Sequence, residues 1–443
     1  AVARGSTDDA LEILGESFAK LSAHIELFGA IDAASQASAA VARLIDQAKL
    51  LTAPTQATQE FVLWTDRGRQ IATWRWPRVD DPELQTLLNR ARAVISETES
   101  ADPEEAKQAH NDLSRLKSEI RSRRWSRPAD KTTPASPTPR RQSQPGPHLD
   151  LTQVDGSWYL ATNSEHSGHW PVEIDNDEIA ALTRLGRLMH TAPESSRDGI
   201  WARVEQAIAT LNELIESALA PSSQTLTIGI DESLSGVPWS ALPSLWGRAY
   251  SILPTRKLVG NARHFHRDRT DTISLLGPGL IEPDQMIRDA GSDPVSAETI
   301  EQVWEALEHR VVQISAHGGP EPKNPLFGWL DLGCGKVLLH DLMFLEKVPE
   351  IVILAACFSA RTESMGSGGT ISFANGFLAL GTRWVVAASG TLSDTQDLRR
   401  FSDAVLRLVA SGEDAPVALA NARQMSGARG QSLAALTFTC FGG

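Results

Sequence analysis

Val311–Gly319 (VVQISAHGG) and Ile351–Ser359 (IVILAACFS) are the stretches that decide the fold of this chain. Each begins with a run rich in β-branched and apolar residues, which is typical of a strand buried on both faces of a parallel sheet. Each run then ends on a reactive side chain, His317 in the first and Cys357 in the second. Because parallel strands end at the same edge of a sheet, the sequence predicts that these two side chains meet there.

The residues at the two strand ends form the chemical pair that a thiol enzyme needs. A thiol attacks a carbonyl only as the thiolate, and a free cysteine with a pKa of about 8.5 is mostly protonated at neutral pH. A histidine within hydrogen-bond reach takes that proton and returns it to the leaving group. The sequence therefore predicts Cys357 as nucleophile and His317 as base. The backbone amides of Gly318, which has no Cβ, and of Cys357 are the candidate oxyanion hole.

Taken alone, the two residues also fit a simpler explanation, because a cysteine after an apolar run is more often a packed core thiol. The surrounding sequence favours catalysis, since seven ordered blocks resemble the CHAT domain, a family of caspase-like peptidases. The blocks are Leu226–Ile230 with Val237–Leu242, Gln313–Gly318, Val352–Cys357, Asn375–Ala388, Ser393–Asp394, Ala415–Ala422 and Ala435–Gly442. The resemblance implies a caspase-like sandwich and endopeptidase activity, with His317 as base or ion-pair partner and Cys357 as nucleophile.

The sequence departs from the family pattern near the expected substrate cleft. Gly366–Thr370 has no acidic residue where many relatives carry one, and Ser389–Gly390 stands where relatives often have Leu-Trp. Separases and metacaspases place an aspartate two residues before the cysteine, where it favours a basic substrate residue, and here that residue is Ala355. A basic residue at the cleavage site is therefore not inferred from this position.

The candidate substrate pocket is formed by loops around the dyad, namely Gly277–Leu280, Cys357–Met365 and Ser389–Asp394. Its candidate residues are Ser359, Ser389 and Asp394. Asp394 could select a basic substrate residue or cap the helix that follows, and the cap is the favoured interpretation. The loop Phe358–Gly369 has no apolar anchor, and we predict that it is mobile and becomes ordered on substrate binding or activation.

Composition narrows the class of protein. The chain has 443 residues and a net charge of −13, which argues against a general nucleic-acid binder. The basic stretch Arg121–Arg141 is interpreted as a solvated linker. Three widely spaced cysteines fit neither a disulfide framework nor a metal cluster, and no apolar run approaches the ~20 residues of a membrane span. We predict a cytoplasmic protein with no membrane contact, metal or cofactor.

The pattern of elements predicts a mainly helical N-terminal domain, a linker and a peptidase domain. Residues 1–125 are assigned helices near 7–28, 31–51, 82–97 and 103–124, with a β-hairpin over 61–76. Residues 126–148 form the Pro/Ser/Arg-rich linker, and 149–443 the peptidase domain, with a helical lead-in over 149–222 and a core sheet over 223–443. Strands alternating with helices predict an α/β/α sandwich with a mostly parallel sheet. The lead-in is expected to begin with a small hairpin over 149–174, around Trp158 and Trp170, and the last strand is expected over 433–441. Trp64, Trp74 and Trp76 are assigned to a core or docking surface rather than a ligand cage.

The leading hypothesis is a cysteine endopeptidase with a His/Cys dyad that cleaves a specific protein substrate. The resemblance implies a regulated effector of a bacterial defence or cell-death system, with an activating protein partner bound by the N-terminal helical domain. One alternative is a catalytically silent caspase-like scaffold, and another is a general thiol hydrolase or acyltransferase with the same dyad.

Overall fold

The computed structural model describes residues 6–25, 31–72, 81–98, 102–125, 147–163, 167–191, 194–219, 225–253, 271–281, 294–319, 321, 324–357, 359–360, 363–364, 370–388, 390–427 and 432–443. Its helices are α1 (Thr7–Ile25), α2 (Ile31–Thr52), α3 (Thr58–Ala72), α4 (Pro82–Thr98), α5 (Pro103–Trp125), α6 (Asn176–Thr191), α7 (Glu194–Ala207), α8 (Ala209–Ala218), α9 (Ile300–Ala306), α10 (Phe373–Leu380), α11 (Gln396–Ala410), α12 (Ala415–Met425) and α13 (Leu433–Thr437). Its strands are β1 (His148–Val154), β2 (Ser157–Thr162), β3 (Gly168–Val172), β4 (Leu226–Ile230), β5 (Tyr250–Leu253), β6 (Thr272–Leu276), β7 (Val311–Gly319), β8 (Trp329–Asp331), β9 (Lys336–Leu338), β10 (Ile351–Ala356), β11 (Glu363–Ser364), β12 (Thr370–Ile371), β13 (Trp384–Ala388) and β14 (Phe438–Gly442).

Twelve of the described strands form one sheet. Its order is β3-β2-β1-β4-β5-β14-β13-β10-β7, with β6 beside the first half of β7 and the hairpin β8-β9 beside its end. The pairs β1–β4, β4–β5, β5–β14, β13–β10, β10–β7 and β7–β6 are parallel. The predicted mostly parallel sheet is therefore confirmed.

The central strands are buried on both faces. Val352 and Leu354 of β10 pack in the same cluster as Phe377 of α10. Ile353, which points to the opposite face, packs in the cluster that contains Val405 of α11. Because successive side chains of a strand alternate between faces, a strand with helices on both sides must be apolar throughout, and this explains the unbroken run in the sequence.

The N-terminal helices α4 and α5 share a core with the sheet. Leu88 and Leu116 are buried in the same cluster as Leu342. The Arg92 guanidinium adds an ion pair to the buried carboxylate of Asp341, with 2.9 Å between Nη2 and Oδ1. The residues before and after the predicted linker therefore share one core. Residues 126–146 of that linker lie outside the described residues, and the division into domains stays a prediction.

The predicted β-hairpin over 61–76 is wrong. Thr58–Ala72 is the helix α3, and residues 73–76 lie outside the described residues. The short apolar run that begins at Phe61 fits a strand or a helix equally well. In the helix, Phe61, Trp64 and Arg69 are all buried, Phe61 against β1 and β2, Trp64 against α1 and α2, and Arg69 against Asp150. Trp64 belongs to the core, while Trp74 and Trp76 lie outside the described residues.

Two further boundaries differ from the sequence prediction. The last strand, expected over 433–441, is shorter because Leu433–Thr437 is the helix α13 and only Phe438–Gly442 pairs with β13. The segment after the linker begins with three strands, β1 to β3, which extend the central sheet through β4 before the helices of the lead-in begin.

Candidate active site

The ends of β7 and β10 bring His317 and Cys357 to one edge of the sheet. The two strands are parallel, and Ala316 is in register with Ala356, so the residues that follow leave the sheet side by side. A Cβ built on Gly318 would lie 2.9 Å from the carbonyl oxygen of Cys357, which shows how closely the two backbones approach. The topology thus places the histidine, the cysteine and both candidate oxyanion donors around one point.

Cys357 is half-buried, and its thiol contacts the backbone of Leu392, which belongs to the candidate pocket loop Ser389–Asp394. The Leu392 N–H donates to Sγ at 3.3 Å, and the thiol donates to the Leu392 carbonyl oxygen at 3.7 Å. Burial raises the pKa of the Cys357 thiol above its ordinary value, and the Leu392 N–H opposes that rise only in part. The neutral thiol is therefore the resting form, and a base is needed to generate the nucleophile.

His317 is exposed on the end of β7, beside the loop that leaves β6. A Cβ built on Gly279 would lie 4.0 Å from its Nε2 atom, and Gly279 has a φ of +69°, a conformation that favours glycine. Asp331 of β8 is directly opposite His317 in antiparallel register, so the two side chains share a face of the hairpin. The described contacts of the Cys357 thiol run to Leu392 and not to His317.

The hairpin β8-β9 pairs with the end of β7 and so lies beside His317. No pattern in the sequence indicates this hairpin. A Cβ on Gly319 would touch the Trp329 ring, and the Nζ of buried Lys336 lies 3.2 Å from the centre of that ring. No strand alternation of useful length marks this hairpin, because each of its strands has three residues. Only its pairing with β7 places it beside the dyad.

The three candidate pocket residues have different positions. The Ser359 hydroxyl is buried, donates to the Leu354 carbonyl oxygen and accepts from the Ala388 N–H, so it joins β10 to β13 and does not face a cleft. Ser389 lies outside the described residues. Most of the loop 358–369 also lies outside the described residues, apart from 359–360 and the short strand β11.

Asp394 does not cap the helix that follows it, so the favoured interpretation is wrong. Thr395 is the N-cap of α11, and its side chain accepts from the Leu398 N–H. The Asp394 carboxylate instead accepts from the Ile281 N–H at 2.7 Å and from Nη2 of Arg399 at 3.3 Å. It therefore joins the loop after β6 to the segment after β13.

We expect Gly318→Ala to reduce any activity of the dyad. The added methyl group would lie 2.9 Å from the Cys357 carbonyl oxygen and 3.2 Å from Cδ2 of Leu330, so one strand end must move. A shift of this kind displaces the amide that would stabilise an oxyanion, and losing one such donor costs about 10²- to 10³-fold in kcat. The measurement is turnover beside Gly199→Ala, a control glycine of α7 with open space around it. Unchanged turnover in Gly318→Ala would remove Gly318 from the oxyanion hole.

The fold and the site define a class of protein: an α/β sandwich with a histidine and a cysteine at the ends of adjacent parallel strands. Residues 283–429, which include both, match the family model of the CHAT domain. This part of the chain, about a third of its length, is therefore similar to the CHAT domain. No protein with a curated description matches the sequence.

Solved structures that resemble the chain include two of one complex. Both are crystal structures of the separase–securin complex of Saccharomyces cerevisiae, one at 3.0 and one at 2.6 angstrom resolution, with TM-scores of 0.48 and 0.47 and sequence identities of 10% and 11%. Each match covers 91% of this chain and 37% of the matched chain. The chain thus spans little more than a third of the length of the proteins it resembles.

Two properties bear on what the described residues can bind. None of the described helices is both long and apolar enough to cross a membrane. Among the same residues, no group of three or more His, Cys, Asp or Glu side chains is placed to hold a metal ion. The three cysteines are unpaired.

Proposed function

We propose that this protein is a cysteine endopeptidase that uses His317 and Cys357 to cleave a specific protein substrate. The observation that carries the proposal is the position of the two residues at the ends of adjacent parallel strands, with Gly318 against the Cys357 backbone. The CHAT domain match over residues 283–429 supports the same reaction class. The half-buried thiol supports a need for a base, because burial raises its pKa.

In the proposed reaction, His317 takes the proton of the Cys357 thiol and the thiolate adds to the scissile carbonyl carbon. The amides of Gly318 and Cys357 donate to the resulting oxyanion. The C–N bond breaks as the imidazolium returns its proton to the leaving amine, which gives a thioester and a free amino terminus. Water, deprotonated by His317, then hydrolyses the thioester and restores the thiol. Asp331, opposite His317 on the hairpin, is placed to stabilise the imidazolium during these steps.

We further propose that the protein is a regulated effector of a bacterial defence or cell-death system, activated in the cytoplasm by a protein partner. The three unpaired cysteines support a reducing compartment. The N-terminal helices are candidates for the partner's binding site, because α5 contacts the segment that follows β7 and His317. Lys117 of α5 forms an ion pair with Glu321, four residues after His317, and also lies over the Phe327 ring.

A catalytically silent scaffold is the second candidate function. It is favoured by one observation, that the Cys357 thiol bonds to the Leu392 backbone in the described conformation rather than to His317. A scaffold of this kind would bind a protein partner through the same sheet edge. Its Cys357 would have no more reactivity than the half-buried Cys334, whose pKa burial also raises.

Labelling with peptide chloromethyl ketones separates the two candidates. In an endopeptidase, we expect an adduct at Cys357 that forms at least about 10²-fold more slowly in His317→Ala, the range of general-base effects. Because burial raises the thiol pKa, labelling of His317→Ala should increase up to a pH above the ordinary thiol range. Adducts are located by peptide mass spectrometry, with Cys334 as the internal control. Equal labelling of Cys357 and Cys334, with no effect of His317→Ala, would favour the scaffold.

A further inference from the structure

The order of strands places the dyad between two loops that come from the flanking strands. His317 and Cys357 are at the ends of β7 and β10, which are neighbours. On the outer sides, β6 pairs with β7 and β13 pairs with β10, all in parallel. The loop that leaves β6 and the segment that leaves β13 therefore emerge at the same edge, on either side of the dyad.

Among their described residues, a charge-assisted hydrogen bond joins these two segments. The Ile281 N–H, in the loop after β6, donates to the Asp394 carboxylate, in the segment after β13, at 2.7 Å. Arg399, which is almost fully buried, donates to the other carboxylate oxygen at 3.3 Å and holds Asp394 in place. We call the bond between the Ile281 amide and the Asp394 carboxylate the clasp.

Each end of the clasp is two residues from a contact with the dyad. Leu392 precedes Asp394 by two residues, and both its N–H and its carbonyl oxygen meet the Cys357 thiol. Gly279 precedes Ile281 by two residues, and a Cβ built on it would lie 4.0 Å from Nε2 of His317, so the loop runs beside the histidine. A chain cannot shift far within two residues of a fixed point, so the clasp also fixes both of these contacts.

We propose, on the basis of the proposed peptidase function, that the clasp is autoinhibitory and must open before a substrate reaches Cys357. The closed clasp keeps the Leu392 backbone against the thiol, at the place where a scissile carbonyl would approach. A substrate has to displace both Leu392 contacts, and His317 can take the thiol proton only when the thiol no longer donates it to Leu392. Activation is then the release of Asp394 from the Ile281 amide, followed by movement of residues 390–395.

The first test is the rate at which a peptide chloromethyl ketone labels Cys357 in Asp394→Ala. We expect an increase of about 10-fold or more, the factor that corresponds to the loss of one hydrogen bond to a charged group that holds the closed state. Asp394→Asn, which keeps an oxygen that can accept from the Ile281 N–H, should restore most of the wild-type rate. Asp397→Ala is the matched control, because it removes the same charge from the same helix start, where the carboxylate accepts from Ser432. It should label at the wild-type rate.

A slower or unchanged rate in Asp394→Ala would overturn the clasp. A decrease confined to peptides with a basic residue at the cleavage site would mean instead that Asp394 selects substrate. The double variant Asp394→Ala/His317→Ala separates this result from the fate of the peptidase proposal. If it labels as fast as Asp394→Ala, the clasp stands and the dyad fails. If Asp394→Ala labels like wild type while His317→Ala alone is slow, the dyad stands and the clasp fails.

Discussion

Replacing Cys357 with alanine is expected to abolish cleavage of the protein substrate, with a loss of at least about 10³-fold in kcat, because no other group can form the acyl-enzyme. The position of Cys357 at the end of β10, beside His317 and against the Gly318 backbone, is the physical reason. The assay is incubation with the proteins encoded beside this chain, with fragments read by intact mass. Asp394→Ala is assayed in parallel, because a wild-type protein with a closed clasp would show no cleavage even if the dyad were active.

Cys334→Ala is the matched control for this experiment. Cys334 is also half-buried and unpaired, but it lies in the turn between β8 and β9 rather than at a strand end beside His317. We expect it to cleave at the wild-type rate. A fragment that Cys357→Ala produces as fast as wild type would refute the peptidase proposal, because the cleavage would then come from another group or a contaminant.

Removing the positive charge of Arg69 is expected to cost about 3–5 kcal/mol of stability, the range for breaking a buried ion pair from one side. The Arg69 guanidinium pairs with the Asp150 carboxylate, which has no exposed side-chain area, and its Nε donates to the Ile230 carbonyl oxygen at 3.1 Å. His148 approaches the same carboxylate, with 2.5 Å between Nε2 and Oδ2. Arg69→Met would leave the Asp150 charge buried without its guanidinium.

Urea unfolding and hydrogen exchange of the β1 amides measure this effect. Lys20→Met is the control, because Lys20 pairs with Glu16 on an exposed helix surface and its loss should change stability by no more than ~0.5 kcal/mol. The double variant Arg69→Met/Asp150→Leu should recover part of the loss, since it also removes the unpaired charge. If Arg69→Met unfolds at the wild-type urea concentration, the pair contributes nothing net to stability.

The contacts of Arg69 also explain why the sequence pattern predicted a hairpin over 61–76 where the structure has the helix α3. Arg69 and Asp150 are 81 residues apart in the chain. A Cβ on Gly229 of β4 would overlap both side chains, so the sheet leaves space for this pair only because position 229 is glycine. Neither fact can be read from the local pattern around residue 69, which fits a hairpin strand as well as a helix.

The sequence by itself determined the central strands and the position of His317 and Cys357 at one edge of the sheet. Continuous apolar runs can be stable only between two helical layers, and parallel strands place their ends at one edge, so His317 and Cys357 follow from pattern and topology rules alone. The helices α1, α2, α4 and α5 were also placed to within a few residues by their periodicity and end signals, because those signals are local.

Only the tertiary structure decided which contacts the loops beside the dyad make. The bond between Asp394 and Ile281 joins residues 113 apart, and the Leu392 contacts with Cys357 join residues 35 apart. In the sequence, Asp394 fits a helix cap, because an aspartate just before a helix satisfies backbone amides nearby. In the fold, Thr395 takes that role, and the carboxylate is left to accept from a strand-end loop that the chain order keeps distant. Contacts between distant segments depend on how the sheet assembles, and a one-dimensional pattern carries no record of it.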